Sequence, residues 1–593
     1  DDCDYLVGAD NFWRHFTFPG GHGSLYPIIL SPLVGLWGMK LLLFKSLSAV
    51  FIVLSIWLLY KTFRGLVPAV VLTPALLLAS ICSYIFFYAS HTYSEPLFML
   101  IQGLFLYFFA RYFLGKDDVS YCLKADWRKY LVIGGLALCL TLTRTIGYSV
   151  LGVVVLFLAI RRRWKDLLYM LGAFILVFGL FQLFKSIAWP GVGGSYSFQT
   201  LLAKDPYNPA LGQEDLPGLL KRYVENSHVY LSAFLYQFMG LIPETPSNFF
   251  SLSPIRTLAV YLLYAGCLVL VFKRNKALLF IGLYAGIMNF TSFTVLQSFW
   301  AQDRLIMIYY PLILLFLLGG IYCLFQIKAL QRFFFIYPLL LLAICIGTLS
   351  ITKNRVERNI PVLRQNLRGD RLYGLTPDWV NFIKGSQWAA KNLDKDARIV
   401  SRKPSISKVY TGRDFIVTPT VLPVPIDTLD FLKNTDDRSI VVIDASTGVF
   451  QGDAMRYLVR CMRESHLTIN GVKSNTIGVY AIPNEQIEEM VSLLNTHQIN
   501  YTLDYKGFVE QCKSVGSIRL YDPDMLLRYL QDNRINYLLL PKLRAADLTK
   551  NTGEYINDVH RYVWYVSYKY PDSFRTVHTI GEDETCEIVE FIK

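Results

Sequence analysis

From Lys40 to Ile351 the chain alternates long apolar runs with short polar breaks. A helix that crosses a bilayer needs about 20 mostly apolar residues, and this region supplies about ten such runs. The pattern predicts spans over Leu41 to Tyr60, Leu66 to Ser90, Pro96 to Phe113, Tyr130 to Thr143, Gly147 to Ile160, Leu167 to Ile187, Ile255 to Phe272, Ala277 to Gln297, Leu305 to Phe325 and Phe333 to Ile351. The two runs flanking Arg144 are short for a span. The residues before Leu25 lack such a run and are expected as a loop.

Every second break is basic: "KTFRG" at Lys61, "KADWRK" at Lys124, "RRRWK" at Arg161, "KRNK" at Lys273 and "KALQR" at Lys328. Short cytoplasmic loops are enriched in Lys and Arg, so these five face the cytoplasm. The alternate loops "SHTYSEP", "LTRTIGY", "SFWAQDR" and the stretch from Ala188 to Pro254 then face the other side, together with Asp1 to Leu25. Because the chain opens on "DDCDY" on that outer side, a further helix running outward is expected ahead of Asp1.

After Lys353 the pattern changes to short Val- and Ile-rich strands separated by helical periodicity. "ARIVS" at Ala397, "SIVVID" at Ser439, "IGVYAI" at Ile477 and "NYLLLP" at Asn536 read as strands of a soluble α/β domain. The organisation expected is a polytopic α-helical membrane domain over residues 1–353 and a soluble α/β domain over residues 354–593 on the outer side. The latter carries no Walker sequence, Gly-rich dinucleotide loop or HExxH, so it is read as a lid or acceptor-docking domain.

Composition agrees with the pattern: 53% of the 593 residues are apolar. The net charge of +13 does not imply nucleic acid, because in such a chain the excess Lys and Arg belong to cytoplasmic loops and anionic headgroups. Membrane lipid is the expected partner. The ten cysteines are spread singly, five of them (Cys82, Cys139, Cys267, Cys323 and Cys345) inside apolar runs, with no zinc-like or disulfide-like spacing. No divalent metal site is evident.

Charges near membrane depth cost roughly 3 kcal/mol each at a helix centre, so those that persist mark functional cavities. Here they gather in the outer loops: Asp1, Asp2 and Asp4; His22 in "PGGHGSLYP"; His91 and Glu95 in "SHTYSEP"; Arg144 in "LTRTIGY"; Asp303 and Arg304 in "AQDRL". Each has a plainer reading. Ser94 could N-cap a helix with Glu95 at the positive end of its dipole, the arginines could anchor at the interface, and Tyr26, Tyr93 and Trp300 could be interfacial aromatics. Interfacial anchoring, however, does not require acids and arginines to recur together in successive outer loops. Carboxylates beside arginines suit a reaction in which a base activates an acceptor while cations hold a phosphate.

In their order along the chain these motifs resemble the GT-C superfamily of membrane glycosyltransferases, of the protein O-mannosyltransferase and aminoarabinose transferase type. The matching positions are Asp1-Asp2 with Tyr5, Tyr26-Pro27 in "GSLYPIILSPL", Glu95 in "YSEPLF", Arg144 after Leu142-Thr143, and Arg304 ahead of Pro311. The second acid of the opening pair is Asp where Glu is commoner in the family. The resemblance implies an inverting transfer of sugar from a polyprenyl-phosphate carrier to a hydroxyl acceptor, which could be a protein, a lipid or a glycan.

In that chemistry Asp1 or Asp2 would be the general base and Glu95 would orient the acceptor or the first acid. Arg144 and Arg304 would stabilise the leaving phosphate, with Tyr5, His22, Tyr26, His91 and Asp303 lining the substrate site. A bacterial inner membrane, with the site and the C-terminal domain facing the periplasm, is the setting the resemblance suggests, with the eukaryotic reticulum as the runner-up. The rival class is a transporter or flippase for lipid-linked sugars, which predicts inverted repeats and mid-membrane polar residues. The chain shows no obvious repeat, and its charges cluster toward one face.

Overall fold

Most of the apolar runs become helices whose bounds differ from the expected ones by only a few residues. The structure is a computed structural model describing residues 2–20, 23–115, 123–192, 202–204, 212–244, 251–298, 301–417, 438–444, 467–468, 477–496, 498–504, 506–507, 523–541, 570–582 and 584–592. It divides into two compact units, Asp1–Arg364 and Gln365–Lys593.

In the first unit, α1 (Asp2–His15), α2 (Leu25–Trp37), α3 (Leu41–Phe63), α4 (Ala69–Ser80), α5 (Ser83–Ala89), α6 (Ser94–Phe113), α7 (Leu123–Thr143), α8 (Ser149–Ile160) and α9 (Trp164–Ala188) follow in order. Further helices include Leu216–Val229, Pro254–Phe272, Lys276–Val295, Tyr310–Phe325 and Ile336–Leu367. Among the described residues, 6 helices are long and apolar enough to cross a membrane, or up to 7 if the bent pair α4 and α5 is one span. The chain is an integral membrane protein by this measure. Leu25–Trp37, Thr145–Ile160 and Tyr310–Phe325 are apolar but shorter.

Two expected spans are broken, each for a local reason. Leu66 to Ser90 bends by 59° between Ser80 and Ser83. The bend frees the carbonyl of Ile81, which accepts a hydrogen bond from Thr352 Oγ1 at 2.7 Å. A neighbouring helix thereby satisfies a backbone group that lipid cannot. The run from Leu305 divides into a short helix, Arg304–Met307, and Tyr310–Phe325. Pro311 lies in the first turn of the latter, where its missing N–H removes no helical bond.

The segment before Leu25 departs from its expected loop. Residues Asp2–His15 form α1, which is only 14 residues long and so falls below any length test for a span. Its buried residues include Cys3, Leu6, Ala9 and Asp10, a stripe at helical spacing. Asp2 and Asp4 stand in the first turn and Arg14 and His15 in the last, each sign at the end of the dipole that favours it. Asp10 accepts from Arg14 Nε at 2.7 Å, and the helix packs on α2.

In the second unit, β1 (Ile399–Ser401) lies between β2 (Ile416–Val417) and β7 (Tyr537–Pro541), parallel to both. Strands β8 (Phe574–Ile580) and β9 (Cys586–Phe591) extend this sheet antiparallel, in the order β2-β1-β7-β9-β8. β1 and β7 read as mainly apolar runs because they are buried on both faces. Helix Pro377–Asn392 lays Phe382 and Ile383 onto Leu539, Cys586 and Ile588. A second, antiparallel sheet has the order β4-β5-β3-β6, from β3 (Arg438–Asp444), β4 (Leu467–Thr468), β5 (Ile477–Pro483) and β6 (Asn500–Thr502). The four strands expected from the sequence are β1, β3, β5 and β7, and they divide between the two sheets.

Candidate functional site

The site begins with two chain reversals. Consecutive helices α6 and α7 pack against one another, which sets the start of α6 beside the end of α7. Arg144 follows the last turn of α7 and precedes a 3-10 turn, Thr145–Tyr148. Gly147 permits this reversal, since a Cβ there would lie 2.4 Å from the carbonyl carbon of Leu140. Gly23, at φ +104°, lies so close to α7 that a Cβ would come within 2.0 Å of the Thr143 oxygen. Gly23 and Gly147 thus bring the approach to α2 and the turn after Arg144 close against the end of α7.

Glu95 stands in the first turn of α6 and is fully buried. Its Oε1 pairs with Arg144 Nη1 and lies 3.9 Å from Arg304 Nε. Glu95 Oε2 has no hydrogen-bond partner among the described residues. The side chains of Arg144 and Arg304 retain 17% and 25% of their exposure, so the arginines keep an outward rim while their shared carboxylate does not. A buried carboxylate so placed sets the direction of two planar donors, and such forks suit bidentate contact with phosphate oxygens.

The first turn of α1 joins this cluster. The Tyr5 hydroxyl donates to Ser94 Oγ at 3.1 Å, and its ring meets that of Tyr26 edge-on at 5.1 Å. Burial and then the charge of Glu95 push the Tyr5 phenol up, so it remains a donor. Asp2 Oδ2 accepts from the backbone N–H of Thr92 at 3.3 Å, while its buried Oδ1 has no partner among the described residues. Tyr93, beside it, is pushed up to about 12 by burial and by the Asp2 charge. Ser94 does not cap α6, contrary to the simple helix-start reading: Tyr93 holds the N-cap position without a side-chain cap, and the Ser94 hydroxyl is engaged by Tyr5.

The remaining expected residues lie at varying distances from this pair. Asp303 accepts from the Tyr88 hydroxyl at 2.7 Å, and burial raises its carboxyl. His91 is half-buried and stacks between Phe87 and Tyr93, with Nδ1 2.7 Å from the Phe87 oxygen. Its described contacts do not include Glu95 or either arginine. Asp1 and His22 lie outside the described residues, as does Trp300. Among the described residues no group of three or more His, Cys, Asp or Glu side chains is placed to hold a metal ion.

One polar cluster went unread in the sequence. Helix Ile336–Leu367 continues past the expected end at Ile351 and carries Arg355 and Arg358, both paired with Glu244. Arg355 also lies over the Tyr84 ring at 3.9 Å. Burial alone would push the Glu244 carboxyl up, but the hydrogen bonds and charges of Arg355 and Arg358 outweigh it and hold it below the usual range. A carboxyl lowered on folding contributes stability above the ordinary carboxylate pKa, and that contribution is lost as pH falls through the lowered value. Glu244→Gln should therefore melt below the parent protein at neutral pH, with a gap that narrows as acidification carries the pH below the ordinary carboxylate range. Melting curves at several pH values check this, and a gap independent of pH would exclude the ion pairs as its cause.

No family model matches the chain, and no curated protein matches it. Two solved structures do, both of ArnT from Cupriavidus metallidurans. The crystal structure bound to undecaprenyl phosphate matches over 81% of this chain and 93% of that one, with 10% identity and a TM-score of 0.43. The apo crystal structure matches over the same shares with 12% identity and a TM-score of 0.29. Fold and site together define a polytopic helical membrane protein with a C-terminal α/β unit and a buried acid–arginine cluster where α6 begins and α7 ends.

Proposed function

We propose that the chain is a membrane glycosyltransferase of the GT-C type, which moves a sugar with inversion from a polyprenyl-phosphate carrier to an acceptor hydroxyl on the non-cytoplasmic face. The observation that carries this reading is Glu95 held between Arg144 and Arg304, one residue from the Ser94 that Tyr5 engages. An acid-bearing helix start and a pair of partly open guanidiniums thereby meet in one place. That is the arrangement a base and a phosphate clamp require.

The carboxylate of Asp1 or Asp2 takes the proton of the acceptor hydroxyl as its oxygen bonds to the anomeric carbon. The bond from that carbon to the phosphate oxygen breaks, and the carrier phosphate leaves with the electron pair. A phosphate monoester is already a weak base, so it needs charge stabilisation more than a proton, and Arg144 and Arg304 supply it. Glu95, paired with both, positions these arginines. Transfer from a synthetic polyprenyl-phosphosugar by the purified full chain tests the reading, and its absence across donors and acceptors would overturn it.

The basic loops at Lys61, Lys124, Arg161, Lys273 and Lys328 support a site and a C-terminal unit on the outer side, the periplasm if the membrane is a bacterial inner one. Cysteines introduced at the exposed Ser90, in the loop that leads to Glu95, and at Gln302 should react with an impermeant reagent added from outside, and one at Arg162 should not. Labelling at Arg162 from outside would reverse the orientation.

A further inference from the structure

Helix α5 lies between the site and a cluster of charges that the mechanism above does not use. Tyr84 and Tyr88 stand one turn apart on it, about 6 Å along its axis. At the site end, the buried Tyr88 hydroxyl donates to Asp303 Oδ1 at 2.7 Å, and Asp303 immediately precedes Arg304, whose Nε lies 3.9 Å from Glu95 Oε1. The loop after α5 supplies the Thr92 N–H that donates to Asp2 Oδ2 at 3.3 Å. One short helix and the loop that follows it therefore reach both the arginine side and the acid side of the site.

At its other end α5 is gripped from helix Ile336–Leu367. Thr352 Oγ1 donates to the Ile81 oxygen at 2.7 Å, in the bend that precedes α5. Arg355, three residues further and so on the same helix face, lies over the Tyr84 ring at 3.9 Å. The guanidinium is itself fixed, because its Nε and Nη2 donate to the two Glu244 carboxylate oxygens at 2.9 and 2.7 Å. The Tyr84 hydroxyl donates in turn to Gln237 Oε1 at 3.0 Å. The described contacts of Arg355 do not include Glu95, Arg144 or Arg304. Its charge does reach the site's edge: burial raises the Asp303 carboxyl, and the Tyr88 hydrogen bond and then the Arg355 charge act against that rise.

We infer that Arg355 is a positioning residue of the phosphate clamp: by fixing α5 through the Tyr84 ring it sets where Tyr88 holds Asp303, and so where Arg304 stands against Glu95. This rests on the glycosyl-transfer reading and adds to it a residue outside the clamp. The constraint is large enough to matter, because a misplacement of about 1 Å can cost on the order of 100-fold in rate. A purely structural role would instead make Arg355 equivalent to Arg358, the second cation on Glu244 at 3.3 Å. The described contacts of Arg358 do not include α5.

The test uses the full chain in lipid nanodiscs and reads the binding of farnesyl phosphate by calorimetry, per folded molecule. Arg304→Ala should weaken binding, Arg355→Met should weaken it about tenfold, and Arg358→Met should leave it at the parent value. Tyr88→Phe, which removes the donor to Asp303, should also weaken it, and adding Arg355→Met to Tyr88→Phe should cost little more, since both act along one path. Arg355→Lys keeps a cation for Tyr84 but not the fork onto Glu244, so a smaller loss with the same non-additivity is expected from it. Parent-strength binding by Arg355→Met, or by Arg355→Lys should the Met variant not fold, overturns the inference. So do losses that multiply in the double variant, or an equal loss in Arg358→Met, which would make the ion pairs on Glu244 the cause. Binding that depends on Arg304 but not on Arg355 sinks this assignment alone. Binding indifferent to Arg304 would instead sink the phosphate clamp, and the assignment of Arg355 with it.

Discussion

Asp2→Asn should slow sugar transfer by about 100- to 10,000-fold, the usual loss when a general base is removed. The substitution keeps the shape of the side chain, and an Asn oxygen can still accept the Thr92 N–H that holds Asp2 Oδ2 at 3.3 Å. Donor binding and folding should therefore survive while the rate falls at saturating donor and acceptor. The geometry favours Asp2 for this experiment because its Oδ1 is buried with no partner among the described residues, leaving an oxygen for an incoming hydroxyl. Asp1→Asn is the necessary companion, and one of the two variants should lose far more than the other. Near-normal rates in both would reduce "DDCDY" to a favourable helix start, with its acids serving only the dipole of α1.

Glu95→Ala should be costly in a different way. The carboxylate is fully buried against Arg144 and near Arg304, and removing one partner of a buried pair leaves an uncompensated charge, at a cost of about 3–5 kcal/mol. The variant should melt well below the parent protein and lose both donor affinity and transfer. Adding Arg144→Ala to it should recover part of the stability, because the stranded cation is then gone. Donor affinity should not recover, since Arg144 faces the phosphate in this mechanism. A single variant as stable as the parent would show that the pair is solvated, and a double variant with restored donor affinity would remove Arg144 from the phosphate site. Glu95→Gln separates packing from charge, because its amide oxygen can still accept from Arg144 while the charge is lost.

The membrane half was legible because a bilayer imposes a length: runs such as Leu41 to Tyr60 must be apolar for about 20 residues whatever surrounds them. The structure accordingly places helices where those runs lie, including Leu41–Phe63, Ser94–Phe113 and Lys276–Val295. Helix α1 was not legible by that criterion, since a 14-residue amphipathic helix meets no length test and contains the weak helix formers Gly8 and Asn11. The stripe of Cys3, Leu6 and Ala9 was the signal that could have found it. The break after Ser80 was equally hidden, because what makes it tolerable is a Thr352 hydroxyl from 271 positions away.

The sequence by itself determined which residues were unusual: Glu95, Arg144, Asp303 and Arg304 stand out as charges beside apolar runs, and Tyr5 follows acids at a suggestive spacing. It could not determine how they pair, because an ion pair depends on distance and burial, which local pattern does not encode. Tertiary structure made that choice. Packing α6 against α7 joined Glu95 to Arg144 across 49 positions, and packing α1 beside the start of α6 joined Tyr5 to Ser94 across 89. The same packing gave Asp303 to Tyr88, left His91 in an aromatic stack, and formed the Glu244 and Arg355 pair across 111 positions, where neither residue had marked itself. Apolar length is a property of one segment and can be read from it, whereas the partner of a buried charge is decided by whichever helix is packed against it.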